Sequence, residues 1–158
     1  MIEGVEANNR KDAFEVVLSG GRTLSLPYAR LENRPTRARR VAEVYVDPEL
    51  GHQGFTYVLD DGTEESVPVD AVLDYNRDPG YVRDQLVYRL TLEAERRVES
   101  SGLSHREIIR RLGTSPTQFY RLLDSAYYGK TLDRLVELLT VVGFQVEIAV
   151  KEAERASQ

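Results

Sequence analysis

The chain has 158 residues, 41% apolar and 30% charged, enough for one domain or two small ones and too apolar for a disordered segment. Its 21 Lys plus Arg against 26 Asp plus Glu give a formal charge of -5, so no basic coat for nucleic acid covers the whole molecule. The absence of Cys excludes disulfides, thiolate-bound zinc, iron-sulfur clusters and a cysteine nucleophile. No signal peptide or membrane span is legible, which leaves a cytoplasmic protein without membrane contact as the expectation.

From Phe14 to Leu73 the apolar residues fall in short runs broken by Gly-containing turns, the punctuation of strands and hairpins. This half repeats itself: residues 13–31 lie over residues 54–72 at a constant offset of 41, with Phe14 on Phe55, Leu18 on Leu59, Gly21 on Gly62 and Pro27 on Pro68. An apolar run, a turn ending in Gly, a second run and a Pro describe a hairpin, so two similar hairpins packed into one small sheet are expected. Between them, NRPTRARR at 33–40 reads as a solvated linker, or else as a second phosphate grip or a docking site for an acidic partner. VAEVYV at 41–46 alternates as a further strand. Asp60, Asp61, Glu64 and Glu65 surround a hairpin turn whose geometry accounts for them, and no metal site is expected there. His52 sits in a loop with no His or Cys nearby and reads as a satisfied or solvated side chain.

NRDPGY at 76–81 marks a boundary, where Asp78 caps a helix and Pro79 occupies its first turn. Leu86, Leu90, Ala94 and Val98 recur every four residues up to Gly102, as one helix or as two with the second starting at Thr91. Residues 104–124, SHREIIRRLGTSPTQFYRLLD, then carry two helix-start signatures: Ser104 with Glu107, and Ser115 with Gln118 behind Pro116. Ile108, Ile109 and Leu112 face inward from the first helix, Phe119, Leu122 and Leu123 from the second, and Gly113 permits the reversal between them. A further helix follows Gly129, with Leu132, Leu135, Val136, Leu139 and Val142 on one face and Gly143 as its terminator. Residues 144–151 alternate Phe144, Val146, Ile148 and Val150 as a closing strand. The fold class is therefore α+β: a small β-rich domain over 1–75 with an internal repeat, and a helical helix-turn-helix domain over 79–158 that ends in a strand.

On these residues, about 84–150 resembles the phage-repressor (XRE-type) helix-turn-helix family, in particular its antitoxin-like members. The N-terminal half resembles small bacterial domains of unknown function. The first resemblance implies a compact helical domain whose second motif helix, from Ser115, enters the major groove of double-stranded DNA. It implies a transcription regulator, of which the antitoxin of a toxin-antitoxin pair is one form, with the toxin as protein partner. A single such motif binds weakly, so a homodimer on a palindromic site is expected.

Local charge agrees with that reading. Residues 1–80 hold 9 Lys plus Arg against 15 Asp plus Glu, whereas residues 104–121 hold Arg106, Arg110, Arg111 and Arg121 against Glu107 alone. Arg106, Arg110, Arg111, Ser115, Tyr120 and Lys130 are the expected DNA-backbone contacts, and Thr117, Gln118 and Arg121 the expected base readers. Ser115 and Gln118 also have capping duties. No enzyme signature and no need for a cofactor is legible. An alternative is a protein-interaction module that keeps the helical fold without reading DNA, which the acidic N-terminal half and Pro116 on the second motif helix would suit.

Overall fold

The structure is a computed structural model that describes residues 1–153, so residues 154–158 of the expected C-terminal domain lie outside the described residues. The chain divides into two compact units, Met1–Tyr81 and the residues from Val82 on. It is α+β, with two three-stranded antiparallel sheets in the first unit and mostly helices in the second.

The first unit is two β-meanders in tandem: β1 (Ile2–Asn8), β2 (Ala13–Leu18) and β3 (Thr23–Pro27), then β4 (Val41–Val46), β5 (Gly54–Leu59) and β6 (Glu64–Pro68). The expected hairpins are β2–β3 and β5–β6, and their offset of 41 extends to individual hydrogen bonds. Leu18 N donates to Arg22 O and Leu59 N to Thr63 O, both at 2.8 Å. Gly21 and Gly62 both adopt positive φ, +84° and +88°, which their turns require and a side chain would resist. One expectation is corrected here, because the hairpins form two sheets rather than one. Each has its own third strand, and β1 was not foreseen. It pairs Ala7 with Phe14 as β4 pairs Val46 with Phe55, and both first strands carry an irregularity, between Ile2 and Gly4 and between Val41 and Glu43.

Alternation turns one face of each sheet inward, and Phe14, Val16, Leu26, Phe55, Tyr57, Leu59 and Val67 close a single core. The equivalent residues Phe14 and Phe55 meet there with ring centroids 5.1 Å apart. After its last strand the first meander makes one 3-10 turn at Tyr28–Arg30. The second makes α1 (Val69–Tyr75) at the equivalent point, which buries Val69 and Val72 where the sequence suggested only strands.

α2, which starts at the end of the first unit and runs into the second, is one helix, Pro79–Ser100, not two. Thr91, the suggested restart, is buried and donates its hydroxyl to Val87 O at 2.6 Å. The buried stripe is Val87, Thr91, Ala94 and Val98, while Leu86 is 47% exposed. A strict spacing of four drifts about 40° per step around a 3.6-residue helix, whereas alternating four and three holds one face. Two short helices, α3 (His105–Leu112) and α4 (Pro116–Leu123), and then α5 (Leu132–Val141) pack Ile108, Phe119, Leu122, Leu135, Leu138 and Leu139 into one core with that stripe. Leu132, assigned to the inner face of α5, is 38% exposed, and Leu138 takes its place inside.

The closing strand expected over 144–151 is not formed. Phe144 and Val146 pack on the helical core, but Ile148 and Val150 stand 86% and 93% exposed. Alternation prepares a strand, and a ladder partner has to complete it. Among the described residues no helix is long and apolar enough to cross a membrane.

Candidate nucleic-acid interface

The caps set the geometry of α3 and α4. Ser104 and Ser115 adopt extended backbones, and their hydroxyls accept from Glu107 N at 3.1 Å and Gln118 N at 3.2 Å. Gly113, at φ +68°, ends α3 by donating its N–H to Ile109 O and Arg110 O, and the chain reaches Pro116, the first residue of α4, three residues later. Neither capping box closes on its return arm. The Glu107 carboxylate turns instead to Arg110 and Arg111, and the exposed Gln118 amide is left without a hydrogen bond among the described residues.

With Phe119 and Leu122 fixed inside, Thr117, Gln118, Tyr120 and Arg121 all project to solvent. Thr117 and Arg121 are one turn apart on one face. Arg121 has no carboxylate partner among the described residues, and its guanidinium lies 5.8 Å from the centre of the Tyr127 ring. Tyr120, 53% exposed, stacks edge-on against His105 and Phe119, and its hydroxyl lies 3.3 Å from His105 Nδ1. A small cleft of about 150 Å³ beside α4 is lined by Gln118, Arg121, Tyr127, Lys130 and Arg134.

The three arginines of α3 are not equivalent. Arg110 and Arg111 share Glu107, Arg110 through Nε at 3.0 Å and Nη2 at 2.5 Å, and Arg111 through Nε at 2.8 Å. The Arg110 bonds first, and then that of Arg111, hold the Glu107 carboxyl down at about 2, so its charge persists at every working pH. Arg106 is exposed and has no carboxylate partner among the described residues.

Lys130 corrects an expectation. Placed by sequence as an exposed phosphate clamp, it is 5% exposed, and its ammonium donates to Leu122 O at 3.0 Å and Asp124 O at 2.6 Å. It satisfies carbonyls that the end of α4 leaves without helical partners, and burial pushes its pKa below the ordinary lysine value. Arg83, from α2, supports the same loop by donating to Tyr128 O at 2.8 Å and Lys130 O at 2.5 Å. Sequence reasoning missed Arg83, because its partners lie 45 and 47 residues away. The loop so held presents Tyr127 and Tyr128, 37% and 40% exposed, and the only local signal for them was a pair of adjacent aromatics in a polar turn.

No protein-family model, curated protein or solved structure matches the chain.

Proposed function

We propose that the chain is a sequence-specific DNA-binding regulator in which α3, the turn at Gly113 and α4 act as a helix-turn-helix, with α4 in the major groove. The observation that carries this reading is the outer surface of α4. Thr117, Gln118 and Arg121 are exposed together on a helix fixed at its start by Ser115 and at its end by Lys130, and Arg121 is free of any carboxylate among the described residues. A guanidinium so placed donates two hydrogen bonds to one guanine, Gln118 serves adenine, and Thr117 meets a thymine methyl. Arg106 and Tyr120 serve as backbone contacts, with the Ser115 hydroxyl beside them. Arg110 and Arg111 contribute less, because one carboxylate already neutralises part of their charge. Lys130 supports the interface from inside. The working unit is a homodimer, whose two recognition helices meet half-sites about 10 to 10.5 base pairs apart.

Selection of bound sites from random DNA by the full chain tests this. An inverted repeat is expected, and Arg121→Ala costs about 1–3 kcal/mol on the selected site while binding to unrelated DNA changes less. If no motif is enriched and wild type and Arg121→Ala bind DNA equally, the reading fails.

A second reading, a protein-interaction module that keeps the helical fold without reading DNA, is favoured by a different observation. Ile148 and Val150 expose an apolar edge that nothing among the described residues covers. Under this reading that edge takes the partner, and the α4 surface is silent toward DNA.

A further inference from the structure

The arginine-rich run at 33–40 is not a bare linker. It has no regular secondary structure, yet its course is fixed along its length. Asn33 N donates to Glu65 Oε2 at 3.1 Å, and the buried Tyr57 donates its hydroxyl to Asn33 O at 2.8 Å. Arg34 donates to Ala29 O at 3.2 Å, and Pro35 is buried. Thr36 and Arg39 exchange backbone hydrogen bonds, and the Arg39 guanidinium reaches Asp61 at 2.7 Å and Thr63 at 3.0 Å. Two of the four arginines therefore hold the loop. The other two, Arg37 and Arg40, are exposed and have no carboxylate within ion-pair distance among the described residues.

Arg37 and Arg40 line a cleft of about 610 Å³ that belongs wholly to the first unit. Arg10, from the turn between β1 and β2, lines it too and is likewise without a carboxylate partner among the described residues. Tyr28 and Asp12 complete the working wall, with the Tyr28 hydroxyl held by Asn9 Oδ1 at 2.8 Å. Three guanidinium groups against one carboxylate give the cleft a local excess of two positive charges, in a unit whose residues are otherwise predominantly acidic. Unpaired like charges brought together repel, and an anion among them removes the repulsion. Guanidinium groups fork to phosphate oxygens, and a loop already tied down by its own hydrogen bonds loses little further freedom when it binds. The volume is far larger than an inorganic phosphate needs and falls in the range of small-molecule sites.

We propose that this cleft binds a small organic phosphate carrying two or more negative charges, its phosphates on Arg10, Arg37 and Arg40 and a hydroxyl donating to Asp12. The proposal stands apart from the DNA-binding reading, since none of these residues belongs to α3 or α4.

The test is titration of the full chain with inorganic tripolyphosphate and with ATP as probes, followed by calorimetry, for wild type, the double variant Arg37→Gln/Arg40→Gln and Arg106→Gln. Saturable one-to-one binding of both probes is expected. The double variant should weaken it roughly tenfold or more, with an unchanged melting temperature and unchanged affinity for DNA, and Arg106→Gln should leave it as in wild type. Absence of binding by either probe overturns the proposal. So does binding that the double variant leaves intact, or a double variant that loses DNA affinity to the same extent, which would make these arginines a grip on the nucleic-acid backbone.

Discussion

The loop at 33–40 and the α3–α4 region each carry four arginines in a short stretch, and in each the protein uses some to hold itself and leaves others without a carboxylate partner among the described residues. In the loop, Arg34 and Arg39 are struts, and the decisive partner Asp61 lies 22 residues from Arg39. In α3, Arg110 and Arg111 are paired with Glu107 three and four residues away on the same helix. Helical pairings are written in local spacing, whereas loop pairings are written in the fold. A count of arginines therefore overstates the cation available to a ligand in both places.

The contrast between strut and free cation is broken most severely at Lys130. Replacing it with Met keeps the apolar stem but leaves Leu122 O and Asp124 O without their charged donor, so urea unfolding should show a loss of about 2 to 3 kcal/mol. The free Arg106, changed to Ala, should alter stability by no more than about 0.5 kcal/mol. Equal effects at the two positions would erase the distinction.

The caps that present the free cations come next. Ser104→Ala and Ser115→Ala each remove an acceptor for one amide and should each cost about 0.5 to 2 kcal/mol in thermal or urea unfolding. Only Ser115→Ala should also weaken DNA binding, because only α4 carries the proposed base readers. Identical DNA titrations for the two variants would remove that assignment.

The smallest effect is expected at Glu107. Its folded-state pKa is lowered from 4.5 to about 2, so its ion pairs stabilise the fold above pH 4.5 and that contribution is lost as pH falls toward 2. Glu107→Gln should therefore differ from wild type in melting temperature at neutral pH and converge with it near pH 2. The same variant releases Arg110 and Arg111, and its DNA affinity should rise with a steeper dependence on salt. A variant with unchanged DNA binding would show that these two arginines never face phosphate.

The parts of the fold legible in the sequence were those with local causes. Ser104 and Ser115 stand where their caps form, Gly113 takes the positive φ its turn needs, and the repeat returns as matched hairpins. What failed depends on distant partners. The 144–151 alternation has no ladder among the described residues, and the burial of Lys130 depends on carbonyls at Leu122 and Asp124 and on a loop that Arg83 holds from α2. β1 was hidden by its own composition, since IEGVEAN mixes Gly and carboxylates into the outward positions of a half-buried strand. At the site, the exposed set on α4 followed from helical periodicity, while the difference between Arg106 and its neighbours Arg110 and Arg111 needed the carboxylate's actual choice of partner.

The tandem meanders carry a consequence for how the first unit assembles. A single meander of about forty residues has one apolar face and no second sheet to cover it, below the size at which a chain alone readily buries a core. Two copies on separate molecules would have to find each other, and their folding would follow mass action. Joined in one chain, the meeting of Phe14 with Phe55 becomes a loop closure, whose entropic cost grows only with the logarithm of the intervening length and does not depend on how many molecules are present. Once covalently joined, the copies no longer need identical surfaces. One can close with a single turn at Tyr28 while the other extends into α1, and the peptide that joins them is left to acquire chemistry that neither copy had.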